Sequence, residues 1–437
     1  MITIFSHKNS KRLQYILKLV FTELLGVEYF FTIDKNVYEE ASGAKLQYST
    51  TAIDNHLFLP SEKLLFESNI QTQEIKFVRH QDHPCIFPVY AKESILPFDV
   101  LAASFYLISR YEEYLPHKKD IHKRFKAEES LAFQNNFLHL PIINIWVKEL
   151  GEIISKEYPE FKTSPKKYRY TPTYDIDIAW SYKNKGFTRN LGGGIRDLLQ
   201  LNTKAVMERY RVLYAHKKDP YDTYKIQKDW QNKYQLKPLY FILFGELGPF
   251  DKNISTLNLE FHDLIKNLRD HSLVGIHPSY ESNTDIKRLK KEIEELSETI
   301  HVDIIRSRQH FLKLSLPHTY RNLLNLGIKH DYTMGYASQV GFRAGISSSF
   351  FFYDLDLEIE TKLRVHPFAI MDGSLKDYMK LDIESSKKII SEIIQELKKA
   401  DGHMVSLWHN ESLSNEGKWK GWIEVYEHLL KEAQAGD

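Results

Sequence analysis

Apolar residues recur along this chain with two different rhythms, and the change between them divides it. From Ser10 to Leu25 the apolar positions Leu13, Ile16, Leu17, Val20, Phe21 and Leu24 repeat at helical spacing, and Gly26 closes the run as a C-terminal cap. Short strands are expected on either side, at Met1–Phe5 and Glu28–Ile33. Phe98–Tyr114 predicts a strongly apolar helix stopped by Pro116, and Leu140–Tyr158 another, with Ile142, Ile145, Trp146 and Leu150 turned inward. Residues 1–162 therefore read as a small α+β domain of unassigned role, and Thr163–Lys167 as the joint that follows it.

Beyond the joint, strand and helix patterns alternate. Strands are expected at Tyr168–Tyr174, Pro238–Phe244, Ser272–Ile276, Ile304–Arg306, Phe350–Asp354, Lys362–Val365 and His403–Leu407. Helices are expected at Thr256–Asp270, Asp285–Ile300, Leu316–Leu326, Ile383–Ala400 and Trp419–Glu432. Such alternation builds a parallel sheet, and about seven strands over residues 166–437 favour an α/β fold, a distorted (β/α) barrel. A basic stretch at about 182–224 interrupts the rhythm. It contains Gly192-Gly193-Gly194 but no Lys-Ser/Thr at the spacing a phosphate loop needs, so it reads as an inserted helical lid.

Composition narrows the function classes. With 59 Lys and Arg against 58 Asp and Glu, the net charge is +1, which gives no field for nucleic acid. The single cysteine, Cys85, excludes an internal disulfide and a multi-cysteine zinc site. No apolar window is long enough for a transmembrane helix, and Met1–Thr32 lacks the apolar stretch of a signal peptide. A soluble, cytoplasmic protein is expected. The 26 Tyr, 25 Phe and 6 Trp supply rings of the kind that stack on sugars, although most must serve the core.

Candidate chemistry lies at the ends of the expected strands. In Thr173-Tyr174-Asp175-Ile176-Asp177 two carboxylates sit two positions apart, so both side chains leave the strand on the same side. Their repulsion calls for a cation, an arginine or a base function; the alternative is a solvated turn. His277, in Gly275-Ile276-His277-Pro278-Ser279-Tyr280-Glu281, follows an apolar strand, where imidazole and carboxylate suit Zn²⁺ or a similar ion. Arg306-Ser307-Arg308-Gln309-His310 and Gly341-Phe342-Arg343-Ala344-Gly345 come next. The flanking glycines suggest that Arg343 lies close to backbone, where a guanidinium fixes a carboxylate; a surface loop is the alternative. Leu407-Trp408-His409-Asn410 closes the set: His409 is either a proton donor to a leaving amine or a core histidine beneath Trp408. Tyr280, Tyr336 and Trp408 are the candidate substrate-stacking rings.

The order Asp, Asp, His, Arg, His resembles the polysaccharide deacetylase superfamily (NodB homology, carbohydrate esterase family 4). Its Asp-x-Asp/Glu motif matches Asp175-Ile176-Asp177, and its His-Ser/Thr-x-x-His motif half-matches at His277. Its Phe-Arg-x-Pro motif is similar to Phe342-Arg343-Ala344-Gly345, and its Leu-x-His to Leu407-Trp408-His409. The resemblance spans roughly residues 166–415. Phe98–Trp146 also resembles the N-terminal domain of a Bacteroidetes-type subfamily. The resemblance implies a divalent metal, Zn²⁺ first and Co²⁺, Ni²⁺ or Fe²⁺ next, held by Asp177 and His277. It implies Asp175 as the base, Arg343 as its orienting partner, and His409 as the acid. The family's second histidine falls here on Glu281, which leaves Glu281 and His310 as candidates for the third ligand. The implied activity is removal of N-acetyl groups from an amino sugar of an envelope or exported polysaccharide or its precursor. Hydrolysis of a non-sugar amide or cyclic imide, and glycan binding by a decayed site, remain as alternatives.

Overall fold

The structure, a computed structural model, describes residues 1–434. Its first sheet has four parallel strands, β1 (Ile2–Ser6), β2 (Tyr29–Thr32), β3 (Ala44–Ser49) and β4 (Leu57–Pro60), in the order β2-β1-β3-β4. A hairpin of β5 (Phe77–His80) and β6 (His83–Ile86) follows. The expected first helix forms from Lys11, with the Ser10 side chain accepting from the Leu13 N–H. It widens to an i→i+5 bonded stretch over Lys18–Leu24 and ends at Gly26, whose φ is +66°. The two later helices run Val100–Ile108 and Ile142–Glu157.

The second sheet contains β7 (Arg169–Ile176), β8 (Leu239–Ile242), β9 (Leu273–Ile276), β10 (Arg306–Ser307), β11 (His330–Asp331), β12 (Phe350–Asp354), β13 (Ile359–Val365), β14 (Ile370–Met371) and β15 (His403–His409). Their order is β12-β13-β11-β10-β9-β8-β7-β15-β14. Every pairing is parallel except β12 with β13. The sheet therefore has nine strands rather than about seven. Among the described residues β12 and β14, its two edges, are not paired to one another, so closure into a barrel is not seen. The two extra strands, β11 and β14, have two residues each, too short to leave a periodic trace in the sequence. The expected lid contains two helices, Phe187–Leu199 and Thr203–Tyr214.

One apolar core runs from the first sheet into the second. The helix at Lys11 lies against edge strand β12: the Tyr15 hydroxyl donates to the Phe351 carbonyl at 2.7 Å, and its ring meets Tyr353 at 5.0 Å. One edge carbonyl is thereby satisfied, and the helix covers that edge where another strand could pair. A buried ion cluster completes the seam. Glu113 accepts from Arg110 at 2.8 Å and from Arg343 at 2.9 and 2.7 Å. Burial would raise the Glu113 carboxyl, but Arg343 and Arg110 hold it down at about 2.

Glu113→Ala leaves the buried Arg343 guanidinium without its counter-charge and Arg110 with Glu112 alone. The loss is expected to be about 3–5 kcal/mol in urea-unfolding free energy. A loss below about 1 kcal/mol would show that the cluster rearranges to solvent.

Candidate metal centre

The register of the second sheet gathers the chemistry at one end. β15 pairs with β7 so that His409 stands opposite Asp175, and β9 and β10 deliver His277 and Arg308 one position beyond their last paired residues, Ile276 and Ser307. Asp175 is buried and its Oδ1 accepts from Arg308 Nη1 at 2.8 Å. Arg308 also donates to the Thr173 hydroxyl at 2.7 Å and the Tyr332 carbonyl at 3.0 Å, between the rings of Phe241 and Phe368. Gly275 makes room for this stack: a Cβ there would lie 2.8 Å from the Phe241 ring and 2.9 Å from the Arg306 carbonyl oxygen.

Asp177, His277 and His310 present one ligand atom each, all within 4.8 Å of one another. His277 Nδ1 lies 2.6 Å from the Arg308 carbonyl oxygen, an acceptor only, so Nδ1 donates to it and Nε2 is the nitrogen left to face Asp177 Oδ1 at 3.2 Å. His310 Nδ1 lies 2.9 Å from Asp251 Oδ1, and its Nε2 lies 3.6 Å from Asp177 Oδ2. Asp177 Oδ1 is buried with no hydrogen-bond partner. A carboxylate with one orphaned oxygen, facing two imidazole nitrogens whose rings are each anchored through the other nitrogen, fits a divalent ion of the Zn²⁺ class. The charges point the same way. Burial alone would raise the Asp177 carboxyl, yet His310 and His277 hold it well below the ordinary carboxylate range. Burial opposes charge on His310, yet Asp177 and Asp251 raise it to about 9. A bound cation would take the place of that proton.

His409 faces the same carboxylate, its Nε2 3.8 Å from Asp177 Oδ2. Asp372 receives the His409 backbone N–H and faces Nδ1, both at 2.8 Å. Burial opposes its charge, but Asp372, with smaller help from Asp177 and Asp175, lifts it well above the ordinary imidazole value. These groups line a cavity of about 190 Å³, walled also by Phe311, Tyr378, Trp419 and Arg124. Arg124 comes from the N-terminal region. It is 7% exposed and donates through Nε to Asp120 and through Nη1 to the Phe311 carbonyl.

The structure thus brings together Asp175, Asp177, His277, His310 and His409, and places other expected residues elsewhere. Arg343 was expected on Asp175; it lies on Glu113, and Arg308 holds Asp175 instead. The glycines beside Arg343 do serve a close approach, but to the N-terminal region: a Cβ at Gly341 (φ +122°) would fall 2.3 Å from the Leu138 carbonyl oxygen. Glu281 is exposed and outside the ligand group, so His310 is the third ligand candidate. Trp408, one position before His409 on β15, points to the other face of the sheet, where it is 1% exposed and packs on Tyr426. Tyr336 is buried under Arg110 and lines an adjoining cavity of about 430 Å³. Tyr280 stacks on Phe250 at 4.2 Å beside that region, outside the smaller cavity.

Residues 2–159 match a family of unknown function, DUF7033. No curated protein matches the chain. Three solved structures are similar at low identity. A protein of Mycobacterium smegmatis proposed to be a polysaccharide deacetylase has 11% identity and a TM-score of 0.39, over 62% of this chain and 85% of that one. PuuE allantoinase has 8% identity and a TM-score of 0.37, over 62% and 84%. The polysaccharide deacetylase Bc1974 of Bacillus cereus has 12% identity and a TM-score of 0.28, over 61% and 87%.

The Asp372–His409 pair gives a pH test. Because the folded-state value of His409 is raised, its protonated form adds stability that is complete below the ordinary imidazole value and fades as pH climbs through the folded one. Asp372→Asn removes the main charge behind this. The NMR titration midpoint of His409 is expected to fall by about a pH unit or more. An unmoved midpoint would mean that another group holds the proton.

Proposed function

We propose that the protein is a metal-dependent hydrolase that removes N-acetyl groups from an amino sugar of an envelope or exported polysaccharide or its precursor. In this reading residues 166–437 form the deacetylase domain, and 1–162 a second domain that lends Arg124 to its cavity wall. One observation carries the proposal: the ligand group Asp177, His277, His310 opens on a cavity that Asp175, held by Arg308, and His409, held by Asp372, also line. Ligand, base and acid are three separate carboxylate or imidazole sets with different partners, as amide hydrolysis requires.

Asp177, His277 and His310 would hold the metal, which when bound polarises the amide carbonyl and activates a water. Asp175, charge-paired with Arg308, takes the proton of the attacking water. His409, charge-paired with Asp372, carries a proton and delivers it to the amine nitrogen as the C–N bond breaks, so acetate and a free amino sugar leave. The rings of Phe311, Tyr378 and Trp419 around the cavity suit the apolar face of a sugar.

The test is metal content and acetate release on N-acetylglucosamine oligomers, with a cyclic imide as the competing substrate. Asp177→Asn, His277→Ala and His310→Ala are expected to lose bound metal. Asp175→Asn and His409→Ala are expected to keep it and to lose about 10²–10⁴-fold in kcat. A purified chain without divalent metal, and without gain on adding Zn²⁺ or Co²⁺, would sink the proposal. Metal loss in Asp175→Asn equal to that in Asp177→Asn would overturn the division of roles.

A further inference from the structure

The helical hairpin inserted after β7 has its polarity reversed. Soluble helices turn leucines inward and charges outward. Here Phe187, Leu191, Ile195, Leu198 and Leu199 form one stripe at spacings of three and four along the first helix, and every one is exposed, Phe187 by 74% and Leu199 by 81%. Leu201 in the turn is 85% exposed. Met207, Tyr210 and Tyr214 continue an exposed apolar stripe on the second helix. The charged contact lies between the helices instead: Asp197 is buried and accepts from Arg209 Nη2 at 2.7 Å, and Arg209 also reaches Asn190 at 3.0 Å. Gly193 leaves space for that guanidinium, since a Cβ there would meet Arg209 at 2.7 Å.

The apolar face continues beyond the hairpin. Arg189 donates to the carbonyls of Asn253 and Lys252 at 2.9 and 3.0 Å, which ties the first helix to the loop after β8. That loop exposes Leu247, Leu257 and Leu259. A surface of this kind marks an interaction site.

Charge identifies the occupant. From Tyr182 to Lys218 there are nine Lys and Arg against two acids, Asp197 and Glu208, a local net of +7. The whole chain is only +1, so the rest of it is net negative. A second copy seated face to face would bring two such basic surfaces together, because a two-fold contact pairs a patch with itself. An anionic bilayer accepts both features at once: leucines enter the headgroup boundary while lysines and arginines meet phosphates. Helices of 13 and 12 residues rise only about 20 Å, short of the roughly 30 Å apolar core, so they lie in the interface rather than cross it.

We propose that the 187–214 hairpin docks this protein on the surface of an anionic lipid bilayer. The docking goes beyond the hydrolase reading and stands independently of it. Its position bears on access to the site. A groove of about 830 Å³ runs between the hairpin and the 414–419 loop, with Lys204, Arg211 and Lys418 among its walls. Trp419 lines both that groove and the metal cavity, so a bilayer under the hairpin lies at the entrance to the catalytic groups.

The experiment is co-sedimentation of the full chain with vesicles of phosphatidylcholine alone and of phosphatidylcholine mixed with phosphatidylglycerol, alongside light scattering for self-association. The protein is expected to bind the mixed vesicles, to bind the neutral ones at least about tenfold more weakly, and to release in high salt. The double variant Leu198→Asp/Leu199→Asp is expected to abolish sedimentation with its thermal midpoint unchanged, and Arg196→Glu/Lys204→Glu to weaken it at least about tenfold. No sedimentation of the unaltered chain with mixed vesicles, or equal sedimentation of the leucine variant, would overturn the proposal. So would a dimer that the leucine variant dissolves in a protein that ignores vesicles. None of these outcomes reads turnover, so each is separate from the fate of the hydrolase assignment.

Discussion

A buried guanidinium organises the candidate site of this protein. Arg308 is fully buried, and a charge taken out of water costs several kcal/mol unless it is paired and hydrogen-bonded. Its neighbours meet most of that demand from separate strands and leave only Nη2 without a hydrogen-bond partner. Thr173 and Asp175 come from β7, the Tyr332 carbonyl follows β11, and Phe241 supplies a ring from β8. The backbone of the same residue then sets the next group, because the Arg308 carbonyl fixes the tautomer of His277. One arginine therefore positions the proposed base and orients a candidate metal ligand. Moving it would disturb both functions together.

The cleft separates its charges by giving each a different partner. Asp175 has a permanent cation in Arg308. Asp177 has two imidazoles and one unmatched oxygen. His409 has Asp372, which meets its ring and its backbone N–H at once and keeps it charged despite burial. Carboxylates that would otherwise repel one another are thus set to unlike tasks by their surroundings.

Most of the candidate ligand and acid–base residues were legible in the sequence because they obey one local rule: a polar residue at or just beyond the end of an apolar strand. Asp175, Asp177, His277 and His409 follow that rule, and the nine-stranded sheet draws them together. Arg308 follows it too, two positions before His310, but the glycines around Arg343 were a stronger local signal for a close backbone approach. That approach exists, against Leu138 rather than at the cleft. Asp372 follows the apolar run Phe368–Met371, yet its strand has two residues and no period to detect. Asp251 lies in a loop with no pattern, and only tertiary structure brings it to His310. Barrel closure, the other expectation, is not seen among the described residues. Strand count does not encode whether edges meet, and the antiparallel β12–β13 pair with the N-terminal helix against it occupies one edge.

The N-terminal region is joined to the cleft by a specific mechanical link as well as by the shared core. Phe311 and Leu312, directly after His310, both adopt positive φ, +57° and +52°, a conformation costly for residues with bulky side chains. Such a turn persists only where its surroundings fix it. Arg124 supplies part of that constraint by donating to the Phe311 carbonyl, while Asp120 holds the Arg124 guanidinium in place. His122 adds its ring to Phe311 at 4.8 Å. The imidazole of His310 is thus aimed by Asp251 from one side and by its own strained turn from the other, and the force on that turn comes from residues 120–124. The placement of the third candidate ligand is consequently a property of the whole chain, and the N-terminal region belongs to the site that the second sheet builds.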